Sequence, residues 1–261
     1  MSQRLRPAPP AAPAPAPPEP EPPRVVVVIP ALDEEGSLGA VIEGLLREAE
    51  PPLAAVIVGD NGSTDRTAEV ARAAGARVVH EPRPGYGSAC LAALAEARRP
   101  PGGPPDVVVF ADGDGADEPR DLPLLLAPIL ADQADLVIGS RTLLPESRRL
   151  LAPQARFGNL LAVSLIRVLW GERFTDLGPF RAITWEALER VGMEDPDYGW
   201  TVELQLKAPR LGLRSAEVPV RTNLRTAGQS KVTGTLRGSF KAGVKILATI
   251  ARYGLRPPRA R

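Results

Sequence analysis

Two aspartates separated by one glycine, Asp112-Gly-Asp114, follow the apolar run Val107-Val-Val-Phe110. Carboxylates on a loop that leaves a buried strand can both reach one hard cation. Oxygen donors suit Mg²⁺ or Mn²⁺, ions that usually keep water and also bind phosphate oxygens. Alone, Asp-x-Asp fits a solvated acidic loop as well, and the strand before it favours the metal. Two further acidic clusters share the setting: Asp33, Glu34 and Glu35 come after Val25-Val-Val-Val-Ile29, and Asp60 and Asp65 after Ala55-Val-Ile-Val58. Ligands of a parallel sheet sit at the carboxyl ends of its strands, so all three clusters face one edge. Their repulsion is costly unless a cation or hydrogen-bond donors compensate it. Asp60-Asn-Gly62 also reads as a turn before a helix capped by Ser63, Thr64 or Asp65, and Asp60 could accept hydrogen bonds from a nucleobase. Arg83-Pro-Gly-Tyr-Gly87 has the makings of a loop that contacts a phosphate or a base.

Several chemistries are excluded by composition. The chain has 261 residues, with 32 Lys and Arg against 31 Asp and Glu, and a net charge of +1 is not that of a dedicated nucleic-acid binder. One cysteine, Cys90, allows neither a disulfide framework nor a cysteine zinc site. His80, the only histidine, excludes multi-histidine metal sites and reads as a satisfied surface residue. Neither G-x-G-x-x-G after the first strand nor G-K-[ST] is present, so the dinucleotide and P-loop readings fail.

The elements that position these residues follow from apolar patterning. Continuous β-branched runs at 25–29, 55–58, 76–79, 107–110 and 136–138 read as strands buried on both faces. Helical stretches at 37–49, 65–74, 88–98 and 121–131 alternate with them, which predicts an α/β fold with a mostly parallel central sheet flanked by helices. Beyond Ser140 helices are expected at 154–170, 185–191, 201–208 and 236–253, a short strand at 180–183, and an edge strand at Val218-Pro-Val220. Ten prolines fall between Pro7 and Pro23, so residues 1–23 are expected to be a disordered tail. The tail has no apolar signal-peptide core, and no window reaches the roughly 18 apolar residues of a spanning helix. The expected location is cytoplasmic, with peripheral attachment to the cytoplasmic membrane face left open.

Together, Val28-Ile-Pro-Ala-Leu-Asp-Glu-Glu35, Val58-Gly-Asp-Asn-Gly-Ser-Thr-Asp65, Arg83-Pro-Gly-Tyr-Gly87 and Asp112-Gly-Asp114 resemble the family-2 glycosyltransferases of the GT-A fold. The chain looks most like the bacterial polyprenyl- and dolichyl-phosphate sugar synthases, also through Ile138-Gly-Ser-Arg141, Thr175-Asp-Leu-Gly-Pro-Phe-Arg181 and Tyr198-Gly-Trp-Thr-Val-Glu203. That resemblance implies a GT-A domain at 24–235, a nucleotide-diphosphate sugar donor and Mg²⁺ or Mn²⁺. It places Pro30, Leu32, Glu34 and Arg83 at the nucleotide, Asp60 at the base, and Asp112 and Asp114 on the metal. Leu32 stands where many relatives have tyrosine, and Ala116 where some have a metal-coordinating glutamine. For a lipid-phosphate acceptor, Arg141, Arg156 and Lys231 are the candidate anchors. For a small soluble hydroxyl acceptor, Asp176 or Glu203 would have to act as the base. Residues 236–261 read as a basic amphipathic helix and tail, with Leu236, Phe240, Val244 and Leu247 beside Arg237, Lys241 and Lys245; the helix could dock on a membrane or pack on the domain. Two other classes compete with this reading. Asp112-Gly-Asp-Gly115 mimics the nucleophile motif of haloacid-dehalogenase phosphatases, which normally lies on the opening strand, and the tail could mark a non-catalytic interaction protein.

Overall fold

A computed structural model describes residues 21–99, 103–225 and 236–254, with side chains from 243 onward in the last segment. Its strands are β1 (Val25–Ala31), β2 (Leu53–Asp60), β3 (Arg77–His80), β4 (Val107–Phe110), β5 (Leu136–Ser140), β6 (Arg181–Thr184) and β7 (Ser215–Pro219). Its helices are α1 (Leu38–Glu48), α2 (Thr67–Ala73), α3 (Tyr86–Ala97), α4 (Leu122–Leu130), α5 (Pro145–Leu150), α6 (Pro153–Trp170), α7 (Trp185–Val191), α8 (Trp200–Arg210) and α9 (Leu236–Gly254). The strands form one sheet in the order β3-β2-β1-β4-β6-β5-β7. All its pairs are parallel except those of β6, which runs against both β4 and β5.

The β-branched run of β1 is explained by its two covered faces. Val26 and Val28 enter one core layer, with residues of α3, α6, α7, α8 and α9, while Val25, Val27 and Ile29 enter the other, with α1 and α4. Successive side chains of a strand point to opposite faces, so a strand sandwiched between helices has no position for a polar residue. Each such valine contributes about 1.5–3 kcal/mol by burial. The polar residues are therefore displaced to the loops beyond the strand ends.

Strand order locates the site. The chain builds β1, β2 and β3 outward in one direction, then returns to lay β4 on the other side of β1. The loops after β1 and β4 thus diverge, leaving a crevice at the carboxyl edge. The edge strand expected around Pro219 is indeed the outermost, β7, where a missing N–H costs no ladder bond. Two features differ from expectation. Helix α5 was not foreseen, and β6 is antiparallel, a direction that apolar content does not encode. Of the two placements left open for the C-terminal helix, the structure has the one on the domain: α9 packs on α6 and α8, and Ile250 and Tyr253 join the core. The face it buries carries Thr249, Ile250 and Tyr253, whereas Val244 and Leu247 of the expected apolar stripe stay exposed.

Candidate active site

The crevice between β1 and β4 is closed by polar side chains from three distant segments. Ser37 donates its hydroxyl to the Gly113 carbonyl at 2.9 Å, tying the start of α1 to the Asp112–Asp114 loop. Glu34 faces that loop, and Arg225 bridges the two, with Nη1 3.1 Å from Glu34 Oε1 and Nη2 2.7 Å from Asp114 Oδ2. Arg225 reaches this position because its segment lies across the acidic loop: Asp117 and Thr222 form a β-bridge, and Asn223 N–H donates to the Ala116 carbonyl at 2.8 Å.

Tyr86 approaches from the other side and donates its hydroxyl to Asp112 Oδ1 at 3.0 Å. Two glycines put it there. Gly85, with φ 136°, and Gly87 sit so close to the carbonyls of Pro196 and Asp195 that a Cβ on either would clash with backbone. The first turn of α3 is thereby pressed onto the 195–196 segment, with Ser88 N–H on the Pro196 carbonyl at 2.9 Å.

Charge in this loop is poorly compensated. Burial, and then the neighbouring Asp114 and Asp117 carboxylates, push the Asp112 carboxyl well above the usual range, while Tyr86 and Arg141 pull it partly back. Asp117 is also raised by burial, against the Asp112 N–H that donates to it. Such a cluster favours a bound cation. Among the described residues no group of three or more His, Cys, Asp or Glu side chains is arranged to hold a metal. A hard ion here would take its remaining ligands from water or phosphate, the habit of Mg²⁺ and Mn²⁺. The donor set fits that chemistry.

Asp60 is buried at the tip of β2, accepting the Ser63 N–H at Oδ1 and lying 3.3 Å from His80 Nδ1 at Oδ2. Pro30 and Leu32 lie half-buried on the β1 side of the crevice. Arg83 is exposed and turned back onto Glu81, whose carboxyl it holds below its ordinary value. Its loop is fixed by Asn61, which donates to the Glu81 and Arg83 carbonyls and accepts the Gly85 N–H.

The expected acceptor-side residues separate. Asp176 is fully buried and takes Arg141 in a two-point contact, Nε–Oδ2 2.8 Å and Nη2–Oδ1 2.9 Å, with the Arg141 N–H also on Oδ2. Burial would lower the proton affinity of Arg141, but Asp176, Asp117 and Asp112 outweigh that and raise it. Asp176 thus fixes a guanidinium whose field reaches the acidic loop. Glu203 is also fully buried. It accepts the Glu194 and Asp195 N–H groups and the Tyr253 hydroxyl at 2.7 Å, and pairs with Lys207 at 2.6 Å. These partners overcome burial and leave its carboxyl below the ordinary value, so it locks α8, α9 and the 194–195 segment together. Arg156 is exposed on α6 and unpaired among the described residues, and Lys231 lies outside them.

Sequence reasoning passed over Tyr86 as a residue with its own role, together with Asp117, Arg181 and Arg225. Arg181 is fully buried and donates to the Leu177, Gly178 and Thr201 carbonyls, and burial pulls it down to about 10 despite nearby Tyr86 and Asp176. The quoted Arg83–Gly87 and Thr175–Arg181 motifs contained the first and third of these. Nothing local marked Arg225.

The family model for glycosyl transferase family 2 matches residues 26–192, which span β1 through α7. An undecaprenyl-phosphate mannosyltransferase of Micrococcus luteus is 35% identical over 245 residues, 89% of this chain and 98% of that protein. A dolichyl-phosphate hexose transferase of Haloferax volcanii is 31% identical over 209 residues, 80% of this chain and 86% of that one. Among solved structures, glucosyl-3-phosphoglycerate synthase of Mycobacterium tuberculosis, in complex with Mn²⁺, UDP and glucosyl-3-phosphoglycerate, superposes with a TM-score of 0.72 at 26% identity, covering 91% of this chain and 82% of that one.

Proposed function

Because the chain belongs to glycosyl transferase family 2 and has the GT-A fold, we propose that it transfers a sugar from a nucleotide-diphosphate donor to the phosphate of a polyprenyl lipid. The observation that carries this reading is the loop beyond β4, where Asp112 is buried and crowded by Asp114 and Asp117 while Arg225 joins Asp114 to Glu34. Asp112 and Asp114 would hold Mg²⁺ or Mn²⁺, which when bound supplies positive charge to the departing diphosphate. Pro30, Leu32, Glu34 and Asp60 line the β1–β2 side, where the nucleotide would lie, with Arg83 at its margin. Arg225 adds a second positive charge beside Asp114, suited to phosphate oxygens.

Transfer then proceeds by in-line displacement. An acceptor oxygen forms a bond to the anomeric carbon as the bond to the nucleoside diphosphate breaks, and the leaving group takes the electron pair. A lipid phosphate is already an anion near neutral pH and needs positioning rather than deprotonation. Supporting this reading, Arg141 is fixed by its two-point contact with Asp176, and both Asp176 and Glu203 are already paired with cations. Arg156 and Lys231 are the further proposed anchors.

A small soluble acceptor is the second reading, favoured by the likeness to a phosphoglycerate-using synthase. The haloacid-dehalogenase phosphatase reading ends with the family assignment. The test is a thermal-shift screen with UDP- and GDP-sugars, with and without Mn²⁺, followed by transfer assays. Metal-dependent stabilisation by one donor, absent in Asp112→Asn, and turnover on polyprenyl phosphate alone are expected. Equal turnover on phosphoglycerate or simple sugar hydroxyls would exclude the lipid acceptor.

A further inference from the structure

The chain is nearly neutral overall, yet its charge is polarised. Between Glu146 and Glu172 there is no acidic residue, while Arg148, Arg149, Arg156 and Arg167 fall in that interval, and no acidic residue follows Glu217. All four arginines are exposed on α5 and α6. Helix α6 buries Ala162, Val163 and Ile166 against the core, but its opposite face is also apolar. Phe157 is 69% exposed, Leu160 63% and Val168 80%, and Leu161 is exposed between them. Their spacing places them on one stripe, with Ser164 the only polar member. Arg156 and Arg167, about three turns apart, line one flank of it.

A helix apolar on both faces should be covered on both, and α9, its neighbour, lies against α6 without hiding this stripe. We infer that the outer face of α6, with the arginines of α5, is a docking surface for an anionic lipid bilayer. Charge decides the occupant. A second copy of this chain meeting the stripe about a two-fold axis would oppose arginine to arginine, because an isologous contact pairs the same patch with itself. An anionic headgroup layer compensates those arginines while its acyl boundary takes Phe157, Leu160 and Val168.

Geometry links the surface to chemistry. On the inner side of α6, Asn159 donates to the Thr175 carbonyl at 3.0 Å and accepts the Leu177 N–H at 2.8 Å, bracketing the Asp176 that holds Arg141. Docking through α6 would therefore set the acceptor side of the crevice against the bilayer. This deepens the lipid-acceptor reading, although the binding itself needs neither donor nor acceptor.

The test uses the full chain and vesicles free of polyprenyl phosphate. Co-sedimentation is compared between pure phosphatidylcholine and a mixture of one part phosphatidylglycerol to two parts phosphatidylcholine. Retention on the anionic vesicles only is expected, with a loss of about tenfold in bound fraction for Phe157→Ser/Val168→Ser and for Arg156→Glu/Arg167→Glu. The same loss is not expected for Val244→Ser/Leu247→Ser on α9. In Phe157→Trp, emission should shift to the blue on adding anionic vesicles, a readout that does not depend on a disruptive variant. Failure of the wild type to bind, binding unaffected by either α6 variant, or an unshifted Trp emission would overturn the inference. So would sedimentation showing a dimer that the Phe157 and Val168 changes dissociate. Because the vesicles contain no acceptor, a wrong acceptor assignment cannot produce any of these results.

Discussion

The Asp112–Asp117 loop and the α8–α9 junction both bury carboxylates, under opposite terms. In the loop, Asp112 is raised by burial and by the Asp114 and Asp117 carboxylates, Asp117 by burial and by Asp114 and Asp176, and Asp114 shares its charge with an arginine from another segment. At the junction, Glu203 is fully buried, yet backbone N–H groups, Tyr253 and Lys207 leave it below its ordinary value. Burial alone therefore does not distinguish a reactive carboxylate from a structural one. The difference is whether neighbouring groups of the protein have already neutralised it. An under-compensated cluster on a sheet edge is where a cation and phosphates gain most.

The contrast is broken most directly at Asp112 and Asp114. Asp112→Asn and Asp114→Asn should each lower metal-dependent kcat by about 10³ or more, since they remove charge that acts on the leaving group. Without metal they should leave stability unchanged or raise it, because they relieve repulsion. The pH dependence has a definite sign. Groups whose folded pKa is raised, like Asp112 and Asp117, contribute stability that is fully present below 3.8 and lost as pH rises through the folded value. The metal-free wild type should accordingly lose stability between about pH 4 and pH 8 more steeply than Asp112→Asn. Parallel curves in denaturant melts would show that the loop is not where repulsion is stored.

Glu203 tests the other side. Glu203→Gln should cost about 3 kcal/mol in denaturant unfolding, because it leaves the Lys207 charge without its partner. Turnover of the folded protein should stay within about twofold, a change too small for loss of a transition-state proton transfer. A large fall in kcat with unchanged stability would instead make Glu203 the base that a hydroxyl acceptor requires.

Arg225 sharpens the comparison because it is the loop's own partial compensation. Arg225→Gln should lower donor kcat/KM by about 30-fold, some 2 kcal/mol, by removing a charge-assisted contact to phosphate. In the absence of nucleotide the same change should tighten Mn²⁺ binding in a calorimetric titration, since Arg225 and the ion compete for Asp114. Weaker Mn²⁺ binding would mean that Arg225 organises the carboxylates rather than competing for them.

How far these roles could be read in advance depended on sequence distance. The sheet was legible because β1, β2 and β4 each required β-branched residues on two covered faces, and their tips therefore collected the polar ones. The acidic loop was legible for the same reason. What escaped was pairing: the Glu34–Arg225 contact spans 191 positions and Arg141–Asp176 spans 35, and no local pattern encodes either. Glu203 carried a local signal of its pairing. Lys207 lies four residues on along the same helix, a spacing that pairs opposite charges and already argued for a structural role.

Tyr86→Phe gives the smallest expected effect and the finest discrimination. The hydroxyl removed contributes one hydrogen bond, to Asp112 Oδ1, and the ring that remains still fills its place in the core. The loss should be about 1 kcal/mol, or about fivefold in metal-dependent kcat/KM. Without that donor the Asp112 carboxylate is still less compensated, so its proton affinity should rise further and the alkaline loss of stability should steepen. Both changes must appear together if Tyr86 positions Asp112. A fall in activity with an unaltered pH slope would show that Tyr86 acts on the substrate, whereas a steeper slope with full activity would show that the geometry of Asp112 is set by the loop backbone alone.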